Sequence, residues 1–287
     1  MIIWEPYRII KPMPGWTFPK QSILTLLLIM FLSAYGSAQA SSPAKIALGS
    51  ETAKAGFRNE DEIAAKFNNW RTDAEAGAWL GFMGFRADAI TLVSAKKPHG
   101  EKADIVVRVR TSSGERAEGI SIKLVSNSQG FNQIDKRWLS HYEKMWRMPA
   151  DVAAALKLFV GEVKPNKPSR NAERMFLNEL TPEQRKAVID FFTANKAEIV
   201  SDLFSGDGEF SAGWMMVALK ATDKPRWVLR RIDYVIRFFG EGPIAITRAG
   251  NLRIGRITMQ RKGGDGGRET ARMLQFKIDP ALLFEGK

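Results

Sequence analysis

The sequence predicts a single α/β domain. Three observations carry that expectation. Apolar residues recur at helical spacing after Glu60, two strand-like runs flank a turn near residue 113, and mid-chain helices give way to a series of strands toward the C-terminus. No segment repeats internally. With 287 residues and 45% apolar side chains, the chain is long enough to pack one large core.

The elements follow in order. Ser41-Ser42-Pro43 marks a boundary. From Glu60, the positions Ile63, Ala64, Phe67 and Trp70 form one apolar helical face, and Gly77 to Phe85 continues as a second short helix ending near Gly84. Ala103 to Val109 is rich in branched residues, and Ser112-Ser113-Gly114-Glu115 supplies a turn. Gly119 to Val125 alternates with period two, so the pair predicts a β-hairpin with one face buried. On its second strand Ile120, Ile122 and Leu124 share one face, and Ser121, Lys123 and Val125 share the other. Helices are expected over Asp135–Trp146, Ala150–Phe159 and Thr181–Asn195. The last opens on a Thr N-cap followed by Pro, Glu and Gln. Val163 to Arg170, with two prolines, reads as a loop. Strands are expected near Trp214–Leu219, Trp227–Arg231, Pro243–Thr247 and Leu252–Gln260.

Charge narrows the function. The formal net charge is +12, and Arg226 to Lys277 carries twelve Lys and Arg against four Asp and Glu, interleaved with glycines and amides. Such a surface attracts polyanions, and nucleic acid is the partner it suits best. The absence of cysteine excludes disulfides and thiolate metal sites. His99 and His141 cannot form a zinc site without carboxylates, so any metal is a hard cation held by oxygens.

Within the hairpin, Asp104 and Lys123 lie on neighbouring strands. A carboxylate that holds Mg²⁺, beside an ammonium that orients water and offsets phosphate charge, is what metal-assisted phosphodiester cleavage requires. Ser121 shares the face of Lys123, where a further metal ligand would sit, and Glu60 offers a helix carboxylate. An Asp and a Lys on adjacent strands are also the makings of an ordinary cross-strand surface pair, and Glu60 those of a solvated helix turn.

Longer motifs add to this reading. They are Gly49-Ser50, Thr52-Ala53-Lys54, Gly56-Phe57 and Asn59-Glu60; then Lys123 to Asn127, Gly130 to Lys136 and Met175-Phe176. At the C-terminus come Gln260-Arg261-Lys262-Gly263-Gly264-Asp265, Gly267 to Ala271 and Met273 to Pro280. Together they resemble the HinP-type type II restriction endonucleases of the PD-(D/E)xK superfamily, from about Leu48 to Phe284. The resemblance implies a restriction-endonuclease-like fold with a central mixed β-sheet flanked by helices. It further implies Mg²⁺-dependent hydrolysis of double-stranded DNA at GCGC, cut as G^CGC to leave a 5′ overhang. Asp104 would be the main metal ligand, joined by Glu60 and Ser121, and Lys123 the catalytic lysine. Ser121 stands where the family carries Gln, and Ala103 where a Ser often precedes the Asp. A cognate DNA methyltransferase would be the functional partner, and the enzyme would act as a monomer or homodimer.

For base recognition, guanine is best read by Arg or Lys, and cytosine by an acceptor. Gln260, Arg261 and Lys262 supply donors and Asp265 an acceptor. Arg268 adds a cation, and Gln133 is a second groove candidate. Arg261 is expected to read a base and Lys262 a phosphate, because only the planar guanidinium matches two acceptors at once. Glycines 263, 264, 266 and 267 let the backbone approach DNA closely.

The N-terminus supports two readings. Lys20, the apolar run Ile23–Leu32 and Ala38-Gln39-Ala40 look like a secretory signal, too short for a membrane span. Pro12, Pro14 and Pro19 before Lys20 are foreign to a signal, and an upstream start is the alternative, with Met30 as a later one. The resemblance favours residues 1–45 as an extension, residues 46–287 as the nuclease domain, and a cytoplasmic location. Two other functions stay open at this point: a DNA-binding protein that no longer cuts, and a secreted nuclease.

Overall fold

Residues 43–126, 131–222, 224–264 and 268–285 are described by the computed structural model. The expectations for residues 1–42 and for Asp265 lie outside the described residues. The chain opens on a long helix, α1 (Pro43–Asn68). It begins 17 residues before the apolar periodicity does. Ala44, Lys45, Ala47, Leu48, Ala53, Lys54 and Ala55 are strong helix formers, so propensity extends the helix ahead of the periodic run. Next, α2 (Ala74–Phe82) is capped by Asp73, whose carboxylate accepts from the Ala76 amide, and it ends before Gly84 at φ +89°.

Two five-stranded sheets follow. The first holds β1 (Ile90–Lys96), β2 (Ile105–Thr111), β3 (Gly114–Val125), β5 (Trp214–Leu219) and β6 (Arg226–Arg231), side by side in that order. The β3–β5 pair is parallel and the others antiparallel, so this central sheet is mixed. The predicted hairpin is β2–β3, closed by Ser112-Ser113 with Thr111 opposite Gly114. The second sheet is antiparallel, in the order β4 (Asn132–Arg137), β10 (Leu274–Ile278), β9 (Ile257–Arg261), β8 (Leu252–Ile254), β7 (Ile244–Ile246). Between them run helices α3 (Leu139–Met145), α4 (Ala150–Val160), α5 (Pro182–Ala194), α6 (Lys196–Ser205) and α7 (Ile232–Gly240). The Thr181–Gln184 capping box of α5 is present as expected. No described helix is long and apolar enough to cross a membrane.

Four expectations need correction. The helix expected from Asp135 begins only at Leu139; residues 132–137 are a strand, because β10 offers them a ladder from 137 to 146 positions further on (Arg137 opposite Leu274, Asn132 opposite Ile278). The run Leu252–Gln260 is two strands, folded at Gly255 with φ +57°. There a Cβ would lie 2.6 Å from three carbonyl oxygens. Strands β1 and β10 and helices α6 and α7 went unanticipated. Finally, the last residues of β3 are covered on both faces, Ile122 in one core and Val125 in the other, whereas the hairpin tip and Arg108 and Arg110 stay exposed.

On one side Ile63, Phe67, Trp79 and Leu80 of α1 and α2 pack against Val93, Val107, Ile120 and Met216. On the other, Met215, Val217 and Val125 join α3 to α7 and the apolar face of the second sheet. Strand β5 therefore alternates between two dry environments, with Trp214 and Met216 on the first side and Met215 and Val217 on the second. A near-continuous apolar run is what a strand covered on both faces requires.

Backbone packing is tightest where β3 meets the approach to β5. A Cβ on Gly119 would lie 2.2 Å from the Ser211 carbonyl, whereas Gly81, exposed on α2, faces open space. Gly119→Ala is expected to destabilise the fold by several kcal/mol, and Gly81→Ala to stabilise it by about 0.5–1 kcal/mol. Denaturant unfolding of both variants checks the pair, and equal effects would contradict this packing.

Candidate active site and DNA cleft

Asp104 sits one residue before β2, at the end of an interior strand of the mixed sheet. Its amide donates to the Ile120 carbonyl at 2.9 Å, extending the hairpin ladder past the strand's end. Its carboxylate turns back onto β3. Oδ2 accepts from the Ile122 amide at 2.5 Å and from the Ser121 hydroxyl at 3.3 Å, and lies 3.6 Å from Lys123 Nζ. The alternation of β3 sends Ile120 and Ile122 into the core beneath α1, leaving Ser121 and Lys123 on the opposite face. Ser121 is buried, and the Lys123 side chain is only 14% exposed.

Glu60 reaches the same place from α1. Burial, then the negative charge of Asp104, raises its carboxyl pKa above the usual carboxylate range, while Lys97 and Lys123 pull it down. Lys97, just beyond β1, lies 3.2 Å from Glu60 and 2.8 Å from Asp61, and donates to the Phe57 carbonyl at 3.1 Å. Sequence reasoning missed Lys97. It is 37 positions from Glu60, and no local pattern joins them.

Two concavities meet at Lys123. A cleft of about 650 Å³ is lined by Glu60, Lys123, Phe131, Gln133, Gln275 and Lys277 among others. A smaller one of about 380 Å³ holds Asp104, Ser121, Lys102 and Arg137. Gln133 and Lys136 line both, as Lys123 does. Behind the smaller cavity, Lys102 Nζ donates to the Ile134 carbonyl at 2.8 Å and to Asp135 at 3.2 Å. Asp135 also accepts from the Tyr142 hydroxyl at 2.5 Å and from Arg137 at 3.3 Å. This buried network ties β4 to the loop that carries Asp104.

Asp104, Ser121, Lys123 and Glu60 are thus brought together, with Gln133 at the shared rim. Of the C-terminal candidates, Gln260 and Arg261 lie on the other sheet. Gln260 pairs with Gln275, and Arg261 with Leu274. Arg261 is half-buried, and its Nε donates to the Val160 carbonyl at 2.8 Å, so part of its fork is spent on the end of α4. Burial and the nearby Arg272 charge depress its pKa. Beyond β9, Gly263 and Gly264 adopt φ +64° and +62°, with the Lys262 and Gly263 amides bonded back to Met273 and Ala271. Arg268 is exposed. Arg174, which no sequence signal marked, stacks 4.1 Å from the Phe176 ring. Burial, then the Arg261 charge, lowers its pKa to about 10.

The R.HinP1I restriction endonuclease family model matches residues 83–284. The chain belongs to this family. It is therefore a type II restriction endonuclease. Among solved structures, the restriction endonuclease MspI in complex with its cognate DNA is similar, with a TM-score of 0.57 and 13% identity. The likeness covers 90% of this chain and 99% of that one, and at this identity it is a likeness of fold. No curated protein matches the chain.

Among the described residues no group of three or more His, Asp and Glu is placed to hold a metal. The two carboxylates at the cleft nonetheless suit a hard cation. Each is an oxygen donor, they repel one another across the site, and a divalent charge between them would relieve that repulsion. Lys97→Met removes a charge and a hydrogen bond that lower the Glu60 pKa, so that pKa is expected to rise further. Glu60 would then stay protonated to a higher pH. An NMR titration of the Glu60 carboxyl checks this, and an unchanged or lower value would contradict the role given to Lys97.

Proposed function

We propose that this chain hydrolyses double-stranded DNA at GCGC, as G^CGC with a 5′ overhang, using Mg²⁺ at Asp104. The observation that carries the proposal is the 3.6 Å approach of Lys123 to Asp104 at the rim of a cleft rich in lysine and amide side chains. GCGC as the target rests on the family likeness and on the abundance of donors suited to guanine.

Asp104 and Glu60 would hold the cation, with the remaining positions left to water and to phosphate oxygen. When bound, it supplies Lewis-acid activation of the attacking water and offsets charge on the phosphate. The protein's own groups do the rest. Lys123 holds its ammonium where the nucleophile and the non-bridging oxygens converge, orienting the first and stabilising the charge that develops on the second. The Ile122 amide and the Ser121 hydroxyl fix the Asp104 carboxylate on its rotamer, a form of preorganisation that costs nothing during reaction. In this reading Ser121 acts through Asp104 and is at most a water-mediated ligand.

Gln133, Gln260, Arg261, Lys262, Asp265 and Arg268 are the proposed DNA contacts, with Arg261 restricted to its terminal nitrogens by the bond to Val160. The proposal includes a cognate methyltransferase in the same system, a cytoplasmic location, and residues 1–45 as an extension outside the 46–287 nuclease domain. Monomer and homodimer both satisfy it.

Asp104→Ala and Lys123→Ala are each expected to lower cleavage by at least a thousandfold, with DNA affinity changed far less. Plasmid digestion with end mapping, alongside equilibrium binding, tests the site and the sequence together. Normal cutting by either variant removes this site, and cuts away from GCGC remove the specificity. Ser121→Gln restores the residue type that the family carries and is expected to keep or raise turnover across a Mg²⁺ series. A folded but inactive Ser121→Gln enzyme would exclude position 121 from the metal's surroundings.

A further inference from the structure

Strand β10 presents two different faces. Leu274, Phe276 and Ile278 point into the core. Gln275 and Lys277, on the alternate positions, line the 650 Å³ cleft. Lys277 is central in the second sheet, opposite Gln133 on β4 and Thr258 on β9. It is thus held on the same floor as Gln133, facing a cavity whose rim carries Lys123 and Lys136. Glu60 is the single carboxylate among the described residues lining that cavity, and it is engaged by Lys97.

The ammonium of Lys277 has no hydrogen bond or ion pair among the described residues. It is half-buried, and burial alone depresses its pKa, with no carboxylate raising it. This is an unfavourable place for a lysine in the free protein, since a partly desolvated charge without a partner costs free energy. A base edge offers only partial charges in return. A phosphate offers a full negative charge and acceptor oxygens, and a lysine binds it as a point charge from several directions.

We propose that Lys277 is a phosphate-binding residue, gripping the DNA backbone from the wall of the cleft that Lys123 also lines. The proposal rests on the reading of the cleft as the DNA site and adds to it a residue on a strand that no sequence motif marked for contact.

The test uses the full chain and catalytically silent conditions, with Ca²⁺ in place of Mg²⁺. Binding to a GCGC duplex and to duplexes altered at one position is measured over a salt series for wild type, Lys277→Met and Lys277→Arg. One phosphate contact contributes about 0.9 to the slope of log affinity against log salt. Lys277→Met is expected to lower the slope by about one and to weaken all duplexes by the same factor, while Lys277→Arg keeps the wild-type slope. The thermal midpoint of the free Lys277→Met protein should be unchanged or higher, because an unpartnered charge has been removed. A purely structural lysine would lower it. An unchanged slope with wild-type cleavage overturns this inference alone. Loss of discrimination at a single base pair also overturns it, by making Lys277 a base reader. Failure of the wild type to bind any duplex overturns the reading of the cleft itself.

Discussion

The Ile122 amide donates to Asp104 Oδ2 at 2.5 Å while the Asp104 amide donates to the Ile120 carbonyl at 2.9 Å. These two bonds clasp the carboxylate to β3, and the rest of the site is arranged around them. A carboxylate at a strand end would ordinarily rotate in water. Here its rotamer is locked by the main chain of the strand that also carries Lys123, so the acid and the ammonium move as one unit. The clasp holds only because β3 does not shift. Ile120 and Ile122 are packed beneath α1, Val125 is packed in the second core, and β5 runs parallel alongside.

That arrangement explains why β3 tolerates polar residues at all. Ser121 and Lys123 occupy the face where Val125 is still in the core. The cleft opens where the second core stops, and the apolar pattern of β3 changes to hydroxyl and ammonium over those two positions. Burying Lys123 there is offset by Asp104, and Asp104 in turn by its hydrogen bonds. Glu60 receives less compensation, and its raised pKa marks the cost of holding a second acid near the first. A site that gathers two carboxylates beside a cleft lined with lysines is electrostatically divided. In the proposed reading the acids would attract a cation and the lysines a polyanion.

The second sheet is coupled to the first through Lys102. Its ammonium binds the Ile134 carbonyl and the Asp135 carboxylate, next to Gln133, from a position two residues before Asp104. Buried networks of this kind are costly when incomplete. Here Tyr142 and Arg137 complete the shell around Asp135. The edge of the second sheet is therefore registered against the loop before Asp104 by hydrogen bonds as well as by apolar packing. Hydrogen bonds impose direction, and that suits a rim shared by both concavities.

Local pattern alone determined the β2–β3 hairpin, the face shared by Ser121 and Lys123, the α5 cap and the wholly apolar β5. Each depends on period-two alternation, a capping residue or an apolar run, and these act over a few residues. The motifs around Lys123 and Gln260 marked the family for the same reason, since they are contiguous in the chain. Tertiary structure decided what distance hides. Asp135–Arg137 looks like a helix start until β10 supplies a ladder from more than a hundred residues away. Lys97 acquires its meaning only when β1 brings it to Glu60. Arg261 reads as a free guanidinium in the sequence, yet its Nε is bound to the end of α4. Lys277 is one more basic residue in a basic tail until the second sheet sets it, without a counter-charge, on the floor of the cleft. Propensity and periodicity are properties of neighbours along the chain, whereas desolvation and charge pairing are properties of neighbours in space.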